Sequence, residues 1–184
     1  MAAADFIVPL VVVGLAELGD KTQLSILLLS SKTKSHFRLL AGVMLGFLVV
    51  DGVAVLLGSW ITGVVPASVL KALAGVVFII FGLLIFKDGG SKAEGSIHPK
   101  NAFLAGFTLI LMTEWGDKTQ IASGLFATEY SAPMVLAGAM AALTVLSAIA
   151  IYVGKLVSGR IDRRLMTRIA GILFILLGLY SLLM

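Results

Sequence analysis

Long apolar stretches alternate with short polar links along this chain. Six such stretches can be drawn, at about 5–30, 38–60, 68–86, 101–127, 133–154 and 166–184. Apolar residues occur all round each one, the pattern of helices that are buried or face lipid. Each is close to or above the roughly 20 residues that a membrane-crossing helix needs. Composition agrees: of 184 residues 59% are hydrophobic and only 13% charged, with mean hydropathy +1.08, against about 25% charged in soluble domains. The expectation is an all-α integral membrane protein with one membrane domain and the lipid bilayer as its surroundings. The N-terminal stretch has no basic flank and runs on into Glu17 and Asp20, so it reads as a first span, not a cleaved signal.

Two of the stretches are interrupted by the same polar run. Glu17-Leu18-Gly19-Asp20-Lys21-Thr22-Gln23 lies inside the first, and Glu114-Trp115-Gly116-Asp117-Lys118-Thr119-Gln120 inside the fourth. A charge at such depth costs about 2.5–3.5 kcal/mol on insertion scales, so an ion pair, a bound ion or a water-filled cavity must offset it. Each Glu lies about twelve residues into its stretch, near the middle of a ~30 Å hydrocarbon core. Gly19 and Gly116 weaken a helix and permit close backbone approach, so the first and fourth helices are expected to break or kink there.

The repetition goes further. Leu40-Ala41-Gly42-x-Met44 returns as Leu136-Ala137-Gly138-x-Met140, and Ala74-Gly75-x-x-Phe78-x-x-x-Gly82-Leu83 as Ala170-Gly171-x-x-Phe174-x-x-x-Gly178-Leu179. These matches are 96 positions apart and the acidic runs 97, which calls for one inserted residue in a loop. Small residues at this spacing let helices pack closely in lipid. Residues 1–86 thus form one three-helix repeat and 101–184 a second, joined by a linker over 87–100 that holds Asp88, Gly89, Gly90 and Pro99. With three spans per repeat, the second enters the membrane from the opposite side, the inverted-repeat plan of secondary transporters. Eleven of the 14 Lys and Arg residues fall in the links after the first, third and fifth stretches. The positive-inside rule places those links in the cytoplasm and both termini outside. Basic residues that flank spans in this way are orientation signals and give no nucleic-acid footprint.

The chemistry follows from the polar residues left inside. In a continuous helix Glu17, Asp20 and Gln23 would project to one side, as would Glu114, Asp117 and Gln120. Brought together across the repeat they make a cage of carboxylate and amide oxygens, with Thr22 and Thr119 adding hydroxyls or bonding back to the helix. Oxygen-only sites suit hard cations such as Ca²⁺, Mg²⁺ and Mn²⁺. The chain has no cysteine, and its two histidines, His36 and His98, lie in polar links, which argues against copper and zinc. Asp51 adds a carboxylate in the second stretch, where the repeat places Ser147. It reads either as the ion-pair partner of Lys21 or Lys118, or as a proton site or extra ligand on one half only. Five carboxylates and two lysines leave about −3 in the cluster. A divalent cation or two to three protons would offset that charge, and the two would compete for the same oxygens. Lys21 and Lys118 would then serve as internal cations of the empty site.

Three readings stay open on these residues. One is a divalent cation/proton antiporter. Another is an exporter of amino acids or small organic cations whose amines the carboxylates bind. The last is a non-transporting membrane protein in which Glu17 and Lys21, at i, i+4, are a structural ion pair. No nucleotide loop, thiol nucleophile or histidine near the carboxylates suggests an enzyme, no resident cofactor is expected, and a homo-oligomer is left open.

The duplicated Glu-x-Gly-Asp-Lys-Thr run, inside two three-span repeats, resembles the family of cation/proton exchangers that includes the Golgi transmembrane protein 165 and its yeast, chloroplast and bacterial relatives. Both copies match the family pattern Glu-x-Gly-Asp-(Lys/Arg)-(Thr/Ser), and the likeness covers essentially the whole chain. The resemblance implies exchange of Mn²⁺ and Ca²⁺ for protons, with Glu17, Asp20, Glu114 and Asp117 at the metal and Lys21, Thr22, Lys118 and Thr119 in support. The chain looks like a bacterial member, which implies the inner membrane and export of cytoplasmic Mn²⁺.

Overall fold

A computed structural model describes residues 2–87, 101–153 and 163–183, all of them in helices or short turns. The expected linker lies outside the described residues from 88 to 100, as do the side chain of Lys21 and the basic link over 154–162. The helices are α1 (Ala2–Glu17), α2 (Lys21–Ser31), α3 (His36–Ile61), α4 (Ala67–Lys87), α5 (Ala102–Glu114), α6 (Lys118–Glu129), α7 (Ala132–Ala148) and α8 (Arg163–Leu183). A π-helical turn, Ile149–Val153, continues α7.

Both expected breaks are present. The first apolar stretch is two helices, α1 and α2, and the fourth is α5 and α6. In each, the motif glycine holds a positive φ, 83° at Gly19 and 81° at Gly116, and no other residue described does. Around the second, Trp115 at φ −67°, ψ 114° precedes Gly116, and the Asp117 amide donates to the Glu114 carbonyl at 3.1 Å. That is a type II turn, which demands φ > 0 at its third residue and so selects glycine. The Asp20 amide makes the same 3.1 Å bond to the Glu17 carbonyl. The break overturns one geometric expectation. Glu17, Asp20 and Gln23 do not share a helix face: Glu17 ends α1, Asp20 sits in the turn and Gln23 belongs to the first turn of α2. The same holds for Glu114, Asp117 and Gln120. For the same reason Glu17 and Lys21 are not at i, i+4 of one helix.

Two helices, His36–Ile61 and Ala132–Tyr152, are by length and composition able to cross a membrane. The broken ones are individually too short, α1 having 16 residues and α2 11. Large apolar side chains cover the outside, among them Leu56, Trp60, Leu73, Met112 and Leu176.

Packing between the helices is reciprocal. The first broken helix of each half lies on the long helix of the other, α1 on α7 and α5 on α3. The repeated Gly42 and Gly138 make these crossings close. A Cβ on Gly42 would sit 2.0 Å from the Phe103 carbonyl oxygen, and one on Gly138 2.3 Å from that of Phe6. The repeated Phe78 and Phe174, on α4 and α8, meet at 5.9 Å between ring centroids, both fully buried. Helices α4 and α8 themselves touch through Gly75 and Gly178, where a Cβ on either would lie 2.8 and 2.6 Å from the other's carbonyl oxygen. The one-residue change in repeat spacing falls where α2 joins α3: Lys21 to the N-cap Ser35 spans 14 steps, and Lys118 to Ser131 spans 13.

Candidate functional site

The two breaks face each other in the interior. Glu17 is fully buried and Glu114 is 4% exposed. Carboxylate oxygens of Glu17, Glu114 and Asp117 come within 4.8 Å of one another. Oxygens this close suit a shared cation, since three anionic groups in a poorly solvated place repel unless something positive sits among them.

Hydroxyls cross between the copies. Thr119 Oγ1 donates to Glu17 Oε1 at 2.7 Å, and Thr22 Oγ1 donates to Glu114 Oε1. Each threonine starts the second half-helix of one copy and steadies the glutamate that ends the first half-helix of the other. Thr119 also lies 3.2 Å from Asp117 Oδ2. These bonds fix one oxygen of each glutamate. The second oxygen of Glu17, Oε2, is buried with no partner among the described residues, as is Gln23 Nε2. Buried polar atoms are rarely left unpaired, and an unpaired carboxylate oxygen beside two further carboxylates is an open ligand position.

The fourth motif carboxylate stands apart. Lys118 reaches across to Asp20, Nζ to Oδ2 at 3.1 Å, while lying 3.6 Å from its own Asp117. The ammonium therefore neutralises aspartates, and neither glutamate has an ion-pair partner among the described residues. Asp51 does not meet Lys118 either. It accepts from Ser123 Oγ at 2.8 Å, and both are buried. Ser147, its counterpart in the repeat, is fully buried, and its hydroxyl has no partner among the described residues. Gln120 is spent on the backbone: its oxygen accepts from the Gly116 amide at 2.6 Å and its nitrogen donates to the Val50 carbonyl at 3.1 Å. It braces the turn and ties it to α3.

Sequence reasoning missed Ser123 and the brace at Gln120. A signal for Ser123 was present: it stands four residues after Thr119, one turn further along α6 on the same side.

Comparison with known proteins gives the family. The model of the divalent cation/proton antiporter GDT1 matches residues 5–93 and 102–184. The chain belongs to the GDT1 family. A Vibrio cholerae protein named "Putative manganese exporter" is 30% identical over 169 residues, 91% of this chain and 84% of that protein. A GDT1-like protein of Synechocystis is 30% identical over 198 residues, 96% and 95% of the two chains. The chloroplastic PAM71-homolog of Arabidopsis thaliana is 35% identical over 78 residues, which is 42% of this chain and 22% of that one. No solved structure matches. GDT1 proteins are transporters, so this chain is a membrane protein of an antiporter family and not a member of an enzyme class.

Proposed function

We propose that this chain exports Mn²⁺ from the bacterial cytoplasm in exchange for protons, with Ca²⁺ as a second substrate. It does so as six spans arranged in two inverted three-helix repeats in the inner membrane, termini outside and basic links inside. The observation that carries this reading is the meeting of Glu17, Glu114 and Asp117 oxygens within 4.8 Å, deep among apolar helices. The reciprocal Thr–Glu bonds and the reciprocal close crossings at Gly42 and Gly138 support a two-fold relation between the halves. A manganese exporter named among the relatives favours Mn²⁺ over other hard cations.

In this mechanism the cytoplasm-facing site binds the cation between the ionised carboxylates. Glu17 offers its free Oε2, and Glu114 and Asp117 complete the set. Thr22 and Thr119 hold the glutamates in place, and Lys118 holds Asp20 in reserve. On the outward-facing side protons take the oxygens and the cation leaves. Protons and metal exclude one another because metal ligands must be deprotonated to bind.

Purified protein in proteoliposomes tests this. An imposed pH gradient, acid inside, should drive Mn²⁺ uptake, and dissipating the gradient with a protonophore should stop it. Apparent Mn²⁺ affinity should weaken as pH falls on the loading side, by up to about tenfold per pH unit for each proton displaced. Uptake that ignores the gradient, or that lysine inhibits and Mn²⁺ does not, would replace this reading with an organic-cation exporter.

A further inference from the structure

The two copies are paired at the centre, but the helices that leave it are held differently. Helix α6 is tied to α3 at three successive points. Gln120 Nε2 donates to the Val50 carbonyl at 3.1 Å, and Ser123 Oγ donates to Asp51 at 2.8 Å. At the third point the backbones touch: a Cβ on Gly58 would lie 2.0 Å from the Gly124 carbonyl oxygen. In the other half α2 lies against α7 and its π-helical turn, and each tie has lost its counterpart there. Gln23 stands for Gln120, and its Nε2 has no partner among the described residues. Ile26 stands for Ser123 and Ser147 for Asp51. Ile26 is fully buried, and the Ser147 hydroxyl has no partner among the described residues. Leu27 stands for Gly124, and a leucine holds helices apart where a glycine lets them meet.

The backbone differs as well. Helix α3 runs unbroken over His36–Ile61, whereas α7 passes into the π-helical turn at Ile149, two residues after Ser147. The Leu146 carbonyl, counterpart of that of Val50, takes the Ile149 amide. Such π-helical turns occur frequently at functional sites. Buried side-chain polar atoms are rarely left unpaired. Among the described residues those left so are Glu17 Oε2, Gln23 Nε2 and Ser147 Oγ, and all three lie on α1, α2 or α7. Helices α1 and α2 each lie against α7 or its π-helical turn. Water let in between α2 and α7 would partner the Gln23 and Ser147 atoms. Parting α6 from α3 would instead strip Gln120, Ser123 and Asp51 of bonds they already have, which costs free energy.

We infer that the seam between α2 and the π-helical end of α7 is the entry for the cation, which passes Ser147 and Gln23 to reach the free oxygen of Glu17, while the α3–α6 seam is shut in the conformation described. This inference rests on the exchange reading above. The seam follows α2 from the cluster to Ser31, and the link beyond carries Lys32, Lys34 and Arg38. The π-helical turn ends at the same face, where the Tyr152 ring meets His36 at the start of α3, 5.8 Å between centroids. In the orientation proposed above that face is cytoplasmic, the side from which Mn²⁺ is loaded. A hard divalent ion exchanges its water for oxygen ligands. Ser147 offers such an oxygen on the way in, whereas Asp51, its counterpart, is engaged by Ser123.

The chain has no cysteine, so single introduced cysteines report on each seam. A150C and A54C are repeat counterparts on the π-helical turn and on α3, at positions 7% and 8% exposed. S147C and S123C replace two serines that are both fully buried. Inverted membrane vesicles holding each full-length variant are treated with a charged, membrane-impermeant methanethiosulfonate, with and without Mn²⁺. A150C and S147C should react about tenfold faster than A54C and S123C, because labelling reads local opening and not the static burial that each pair shares. Mn²⁺ should slow labelling of A150C about threefold, since a cation shared by Glu17, Glu114 and Asp117 favours the state in which the first broken helix is held against the second. Should one cysteine fail to yield folded protein, the other pair decides. Equal rates within the pairs, or faster reaction at A54C and S123C, would overturn the inference. Labelling of A150C that Mn²⁺ leaves unchanged or speeds would overturn it too, because the seam would then be no part of the cation's route. Mn²⁺ uptake by wild-type proteoliposomes is measured alongside. Uptake together with either of those labelling results removes this inference alone, and wild type that moves no Mn²⁺ removes the exchange reading with it.

Discussion

The two copies of the acidic turn are nearly interchangeable, and the positions one turn beyond them are not. At the centre each copy ends a helix on a glutamate, turns on a glycine near φ 80° and sends a threonine hydroxyl to the other copy's glutamate. Beyond it, one half has an acid bonded to a serine, and the other has an isoleucine and a serine with no partner among the described residues. A cation held between two halves needs ligands from both, which keeps the centre paired. The flank lies outside that shared set, so it is free to differ. The comparison can be attacked at both levels.

The largest effect is expected at the glutamates. E17Q and E114Q each keep the shape of the side chain and remove one negative charge from the cluster. Each should lower gradient-driven Mn²⁺ transport by at least about a hundredfold, since a lost charged ligand in a dry site is worth several kcal/mol. The two variants should fall together, within about threefold of each other. Loss in one alone would show that the halves do not share the cation.

Next come the helix crossings. G42A and G138A each add a methyl group where backbone oxygen already stands, 2.0 and 2.3 Å from the new carbon. Carbonyl groups in a helix cannot step aside, so the helices must separate. Overpacking of this kind costs about 1–3 kcal/mol, and more where relaxation is blocked. Thermal unfolding in detergent should show both variants less stable, with G42A the worse of the two. A G42A variant as stable as wild type would mean that α3 and α5 do not cross there.

How much of this was legible in the chain follows from what repetition can and cannot encode. The broken helices were readable because the same glycine interrupts two apolar stretches at the same place, and the close crossings because Gly42 and Gly138 recur in register. Both are local facts that sequence carries directly. Three features were not readable: that Asp20 is drawn to Lys118 across the repeat, that Gln120 braces its own turn, and that Asp51 finds Ser123. Once a helix breaks, the periodicity of its first half no longer says where its second half points. The expectation of Glu, Asp and Gln on one helix face failed for that reason. Which oxygens meet is then set by how two broken helices lie against each other, a tertiary quantity that neither copy encodes alone.

A smaller effect tests the crossing hydroxyls. T22V and T119V keep volume and remove the donor to a buried glutamate oxygen. A buried acceptor left unpaired costs about 1–3 kcal/mol. That cost should appear as weaker Mn²⁺ binding, by calorimetry or fluorescence on purified protein, of about tenfold for each variant. Near-equality of the two is the point of the experiment. A T119V defect much deeper than that of T22V would trace to the Thr119–Asp117 contact.

The smallest effect belongs to the turn. At Gly116 a Cβ would meet nothing within 4 Å, so G116A introduces no clash. Its cost is conformational: at φ +81° an alanine is strained by about 1–2 kcal/mol relative to glycine. The expected result is a melting temperature lower by a few degrees, with Mn²⁺ exchange slowed less than in either glutamate variant. G116N separates strain from a need for bare backbone, because asparagine tolerates positive φ better than alanine does. If G116N recovers stability and transport together, the glycine serves the turn alone. If stability returns and transport does not, the site requires the open space beside Gly116, and that space is part of the path the cation takes past the second copy.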